Sequence, residues 1–285
     1  MKNTKHIYAL ILAFLFLVPS LFAQGLFNTK EFAKVSKDKN TKVISVQSNK
    51  NYRVSHLRNA IHIDHSKLYK EEGPGGVLKP TNEIAQILGD LGVSNTNNLI
   101  IYDDGDNKTA GRMYWILKYM GVADVKILQK DMKAWRSARI PLTPAPTKAT
   151  KTTFVPSLDA SIYVDTKWVK ANLNKVDVLF VDARAPKEYT GTDGKSPGHI
   201  PGAINLEWKN FGVNGGVLKS NEDLKKMLTA AGITPDKTIV LYCGTAVRAG
   251  LPFFVISSLL DYPNVKVYDG AMNVWSANTS NPVEK

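Results

Sequence analysis

Thr238-Ile-Val-Leu-Tyr-Cys243-Gly-Thr-Ala-Val-Arg248-Ala-Gly250 decides how this chain is read. A short apolar run rich in β-branched residues reads as a buried strand. It stops at Cys243, the single cysteine of the 285 residues. The apolar run that follows, residues 251–260, reads as a helix. Open α/β sheets carry their ligand sites at the carboxyl ends of strands, and Cys243 stands at such an end. Gly244, Thr245 and Ala246 are small, so backbone N–H groups can come close to a bound group. Consecutive N–H groups in a tight loop, with a helix N-terminus behind them, make a cradle for an anion. Such surroundings favour the thiolate, which is the nucleophilic form of cysteine. Arg248, always charged, supplies a planar donor fork for an oxyanion. The bland alternative is a buried structural thiol. The strand-end position, the small loop residues and the arginine near the helix start weigh against it.

Working outward, the same pattern occurs once more. Tyr102-Asp103 precedes Tyr242-Cys243 by 140 positions, as Gly76-Val-Leu-Lys79 precedes Gly216-Val-Leu-Lys219 and Trp135 precedes Trp275. His56-Leu-Arg-Asn-Ala-Ile61 matches His199-Ile-Pro-Gly-Ala-Ile204 with a spacing of 143. Two copies of a long period mean a duplicated domain and not a solenoid. In each half, strands are expected at 43–46, 60–63, 98–102 and 125–128, and at 178–181, 203–206, 238–242 and 265–268. Helices are expected at 81–91, 112–120, 220–231 and 251–260, with capping residues at the start of 81–91 and 220–231, in the latter Ser220 with Asp223 three residues on. Alternating strands and helices with short links imply an α/β fold: two tandem domains, each a parallel sheet with helices on both faces. The Pro- and Thr-rich stretch beginning at Pro141 marks the join. The expected division is 1–23 leader, 24–145 first domain, 146–160 linker and 161–285 second domain.

Composition narrows the function. Lys2 and Lys5 precede an apolar run, residues 7–22, that ends at Ala23-Gln24. That is the layout of a secretory signal peptide, so the chain is expected to be exported, to a periplasm, with only transient membrane contact. The formal charge is +12; without the leader it is 35 basic against 25 acidic residues, or +10. A basic surface suits small anionic substrates. The lysines are scattered, with no Arg-rich run and no nucleic-acid motif, so no nucleic-acid partner is expected. One cysteine excludes an intrachain disulfide and a structural zinc site. His62-Ile-Asp-His65 fits no strong metal motif, and Asp103-Asp104-Gly-Asp106 reads as a solvated loop. No metal and no cofactor are expected.

Further residues carry a family resemblance. Val181-Asp-Ala-Arg184, Glu188-Tyr189, Gly198-His-Ile-Pro-Gly-Ala-Ile204-Asn205, Cys243 to Arg248 and Tyr268-Asp-Gly270 with Trp275 together resemble the rhodanese domain. Two such domains with the cysteine only in the second resemble the bacterial thiosulfate sulfurtransferases. The resemblance implies ping-pong sulfur transfer from a small anionic sulfur donor to cyanide or a thiol or dithiol acceptor. Cys243 would be the catalytic nucleophile and carry a persulfide. Gly244, Thr245, Ala246, Val247 and Arg248 would bind the substrate. Asp103 replaces the cysteine in the first half, which is therefore expected to be inactive. His199 recurs as His56 in that inactive half and reads as structural.

The sequence departs from the vertebrate-type enzymes in two places. Glu188 stands where they have arginine, and Arg248 closes the loop where they have threonine. Thiosulfate is favoured over 3-mercaptopyruvate as donor, with the 3-mercaptopyruvate enzyme as an alternative. A persulfide carrier or interaction module is a further reading. Cysteine phosphatases and arsenate reductases have five residues between Cys and Arg, and here there are four, Gly244 to Val247.

Overall fold

The computed structural model describes residues 25–213 and 217–285; the leader expected at 1–23 lies outside them. Two five-stranded sheets form, and every pairing within them is parallel. The first contains β1 (Leu26–Phe27), β2 (Thr41–Ser45), β3 (Ile61–His62), β4 (Asn98–Tyr102) and β5 (Val125–Leu128) in the order β1-β5-β4-β2-β3. The second contains β6 (Tyr163–Val164), β7 (Val178–Asp182), β8 (Ile204–Asn205), β9 (Thr238–Tyr242) and β10 (Val265–Tyr268) in the order β6-β10-β9-β7-β8. The two orders are the same order, so the sequence repeat is a repeat of topology. The central strands β4 and β9 are buried from their second residue onward, which explains their unbroken apolar runs. The edge strands β1 and β6, two residues each, escaped the sequence reading because they are too short to show a period.

Among the described residues ten α-helices cover the sheets: α1 (Thr29–Val35), α2 (Asn49–Val54), α3 (Thr81–Asp90), α4 (Lys108–Tyr119), α5 (Met132–Ser137), α6 (Thr166–Asn172), α7 (Pro186–Tyr189), α8 (Asn221–Ala230), α9 (Gly250–Phe253) and α10 (Ala271–Ala277). At α8 the expected cap forms, with Ser220 Oγ accepting the Asp223 N–H at 3.1 Å. At α3 it does not: Pro80 holds the cap position and offers no side-chain acceptor. Helix α4 begins four residues before the expected 112, because Asp103 accepts the N–H groups of Thr109 and Ala110 and so caps its first turn. Helix α9 begins at Gly250 and continues as a π-helix, Phe254–Leu259.

The halves meet where α4 crosses α9. A Cβ on Gly111 would lie 2.5 Å from the Leu251 backbone nitrogen, and one on Gly250 would strike the backbone of Arg112. Only glycines permit helix axes to come this close. One apolar core therefore runs through both halves, from Ile101 and Met113 to Leu251, Phe254 and Val267. Tyr114 meets Phe254 edge-on, ring centroids 4.9 Å apart. The connecting stretch is strapped to the first half: Thr152 N–H donates to Gly89, Ser157 to Met120 and Asp159 to Tyr119, and Phe154 is buried.

Candidate active site

Cys243 follows the last residue of β9, and its side chain is fully buried. The loop after it turns its first carbonyls toward α10: Met272 N–H donates to Cys243 O at 2.9 Å and Asn273 N–H to Gly244 O at 3.0 Å. In a trans peptide the next N–H points the opposite way. The N–H groups of Gly244 and Thr245 therefore face away from α10. Ala246, fully buried, takes a left-handed conformation with φ 61°, which tightens the bend. Among the described residues no protein acceptor takes the N–H groups of Gly244 to Ala249.

The first half shows what such a loop holds. Asp103 occupies the position of Cys243, and its carboxylate accepts four backbone N–H groups of its own loop. Gly105 and Asn107 donate to Oδ1 at 2.8 and 3.2 Å, and Thr109 and Ala110 to Oδ2 at 3.2 and 3.1 Å. The loop is thus an anion cradle, filled by the protein's own carboxylate. This corrects the expectation of a solvated acidic loop, since Asp103 is only 2% exposed. Burial, followed by repulsion from Asp106, pushes the Asp103 carboxyl up to about 6 against the pull of the amides. Asp104 instead accepts Ser48 N–H and the Asn51 amide at the start of α2. Asp106 pairs with Lys108 at 3.3 Å. The three acids face three different partners, which is not an arrangement for a metal ion.

Arg248 lies over the active loop with a partner that the sequence did not show. Its Nη1 donates to Glu188 Oε2 at 2.5 Å and its Nη2 to Glu188 Oε1 at 2.8 Å. The guanidinium holds its proton more tightly than usual. The Glu188 carboxylate is the main cause, burial opposes it, and the Cys243 sulfur adds to it. The first half closes the other side. A Cβ on Gly76 would lie 2.5 Å from Thr245 O, so this glycine, with φ 95°, touches the active loop itself. Gly76 O accepts Arg112 Nη2 at 3.0 Å, and the same nitrogen pairs with Asp269 Oδ1 at 2.7 Å. Asp269 Oδ2 accepts Leu78 N–H at 3.0 Å. The Arg112 guanidinium stacks 4.5 Å from Trp115 and 5.3 Å from Tyr69. Burial pushes the Tyr69 hydroxyl up, Arg112 opposes this, and Cys243 lies within electrostatic reach.

Sequence reasoning missed this Gly76–Arg112–Asp269 cluster. The available signal was a lone arginine at the head of an apolar helical run. A cleft of about 880 Å³, lined by Asn49, Arg53, His62 and Lys67 among others, lies on the first half away from Cys243. Cys243 is not among the residues that line this cleft, and the chemistry follows the loop and not that volume.

The histidines have structural partners. His199 stacks on Tyr189 with centroids 3.7 Å apart, and its Nδ1 lies 2.9 Å from Tyr189 O. His56 repeats this on Tyr52, at 3.6 and 2.7 Å. His62 faces Gln47 O and His65 faces the Tyr69 hydroxyl, so the two do not converge.

The family model described as the rhodanese-like domain matches residues 28–138 and again 165–278. This chain belongs to the rhodanese family. Its two rhodanese-like domains share the order of strands given above, with the cysteine in the second only. Among relatives, the sulfur carrier protein TtuD of Thermus thermophilus is 35% identical over 217 residues, 71% of this chain and 76% of that protein. The thiosulfate sulfurtransferase of Azotobacter vinelandii is 31% identical over 248 residues, 85% of this chain and 90% of that one. Among solved structures, the rhodanese fold of SseA from Escherichia coli, described as a 3-mercaptopyruvate sulfotransferase, matches with a TM-score of 0.76 at 26% identity. It covers 87% of this chain and 98% of that chain. An ergothioneine biosynthesis enzyme from Chlorobium limicola shares the fold at 24% identity and TM-score 0.77, and this chain spans 64% of it.

Proposed function

We propose that this rhodanese transfers a sulfane sulfur from a small anionic donor, thiosulfate foremost, to a thiophilic acceptor through a persulfide on Cys243. The Cys243 thiolate attacks the outer sulfur of the donor. The bond between the two donor sulfurs breaks, and sulfite leaves with the electron pair. Cyanide, a thiol or a dithiol then takes the outer sulfur and the thiolate returns. No proton moves on the enzyme if the thiolate is already formed, so no general base is needed. The N–H groups of Gly244, Thr245, Ala246 and Val247 stabilise the persulfide anion, and Arg248 binds the donor's oxyanion end.

One observation carries this reading. The loop that closes on a carboxylate in the first domain finds, among the described residues, no acceptor for its N–H groups in the second, where a cysteine stands at the same place. The first domain cannot form a persulfide and serves as a wall of the site through Gly76. The leader fits export, and a partner would then keep Cys243 reduced. Intact mass after incubation with thiosulfate should show one added sulfur, absent in Cys243→Ser. Transfer surviving in the serine variant overturns the assignment. The similarity to a sulfur carrier protein supports a second reading, in which the persulfide is delivered to a protein partner. A pure carrier would load sulfur once and turn over little with cyanide or small thiols.

A further inference from the structure

Arg248 reaches the active loop with its charge already matched. Both of its terminal nitrogens are held by the two oxygens of Glu188. Glu188 is the third residue of α7, and its Oε2 also accepts Ala185 N–H at 3.3 Å, which fixes the carboxylate at the head of that helix. A Cβ on Gly244 would lie 3.4 Å from Arg248 Nη2, so the paired guanidinium overlies the residue next to the cysteine. Three further cations are matched in the same way: Arg112 by Asp269, Arg184 by Asp182 and Lys108 by Asp106. These pairs put a carboxylate beside each of these cations, although the whole chain is strongly basic. A donor that binds Arg248 must share it with a carboxylate, and each negative charge on the donor is repelled by that carboxylate.

We propose that Glu188 sets donor selectivity by charge. It holds Arg248 over the loop and disfavours donors in proportion to their negative charge, so that singly charged sulfur donors gain on doubly charged ones. This rests on the sulfur-transfer reading above. Two donors with the same transferable sulfur separate the effects. Thiosulfate carries two charges and releases sulfite; methanethiosulfonate carries one and releases methanesulfinate. In each, the sulfur–sulfur bond breaks, the outer sulfur joins Cys243, and the leaving group keeps the electron pair.

Glu188→Gln keeps an oxygen for Arg248 and removes the charge. The ratio of kcat/KM for thiosulfate to that for methanethiosulfonate should rise about ten-fold. That is the change expected for one unit charge a few ångströms from one extra donor charge at an intermediate dielectric. The change should appear in KM and shrink with added salt. Glu188→Ala should shift the ratio in the same sense and lower kcat for both donors, because the tether on Arg248 is gone. Glu188→Asp should keep the wild-type ratio. If both donors turn over and the ratio is unchanged in the Gln and Ala variants, the charge argument is wrong. If the wild type moves sulfur from neither donor, the proposed function itself fails.

Discussion

The pair between Arg112 and Asp269 is the most demanding test of how the domains are joined. It spans the seam at 2.7 Å, and the two side chains are 0% and 1% exposed. Exposed ion pairs contribute about 0–1 kcal/mol, but removing one partner of a buried pair leaves an uncompensated charge and costs about 3–5 kcal/mol. Asp269 also accepts Leu78 N–H, and Arg112 also donates to Gly76 O, so either loss orphans a further group. Arg112→Met and Asp269→Asn should each cost about 3–5 kcal/mol, a large share of a usual total of about 5–15 kcal/mol. The double variant should cost less than the sum of the two, with a coupling of about 2 kcal/mol or more. Urea unfolding followed by tryptophan fluorescence suits the test, because Trp115 lies against the Arg112 guanidinium. Lys151→Ala, which breaks a pair with Asp90 whose side chains are 78% and 40% exposed, is the control and should cost under about 1 kcal/mol. Single-variant costs in the range of that control would refute the reasoning.

Two further outcomes follow from the seam and from the first domain. Gly111→Ala would push a methyl group into the Leu251 backbone, which has no flexible end to yield; a loss of about 2 kcal/mol or more is expected in the same unfolding assay, and a neutral or stabilising result would mean the helices part freely. The Asp103 carboxyl should titrate near 6 by carbon NMR, and its midpoint should fall in Asp106→Asn, where the repulsive neighbour is gone; a midpoint near 4 in the wild type would refute it. The sign for stability is set by folding having raised this pKa. Between the unfolded value of about 4 and the folded value of about 6, the folded chain binds the proton more readily. This group therefore destabilises above pH 6, and its penalty disappears as the pH falls toward 4.

The central strands, the duplication and the position of Cys243 were legible because each depends on local pattern. Ile239, Val240 and Leu241 could only be a strand buried on both faces, and Tyr102 and Tyr242 keep their place in the repeat by doing the same work. Tyr102 Oη accepts Leu57 N–H and Tyr242 Oη accepts Ile200 N–H. Pairings distant in sequence were not legible. Glu188 and Arg248 are 60 residues apart, Arg112 and Asp269 are 157 apart, and nothing in local composition announces either. The carboxylate that holds Arg248 went unseen for that reason: the loop was read without the helix that packs beside it. The acidic run was misread in the same way, because Asp103 is surrounded by N–H groups of its own loop only once the chain has turned.

The two loops also differ by one residue, and this bears on what each can hold. Tyr102 and Tyr242 are 140 positions apart, but the left-handed residues Asn107 and Ala246 are 139 apart, as are the seam glycines Gly111 and Gly250. The left-handed residues that end the following helices, Gly121 and Asp261, are again 140 apart. The active loop is thus one residue shorter, and the helix after it is one residue longer. The extra residue is absorbed where the second domain has a π-helix, Phe254–Leu259, and the first has a continuous α4. Deleting a residue from a loop whose two ends are fixed, by the strand behind and the helix crossing ahead, draws the ring tighter. The longer ring of the first domain accommodates a carboxylate with two oxygens. On the proposed function, the shorter one would hold a smaller anion, a single sulfur rather than a tetrahedral phosphate. On that reading, the count of four residues between Cys243 and Arg248 sets the size of the anion the loop would hold. It is kept in register by a helix that gives up regular geometry one turn later.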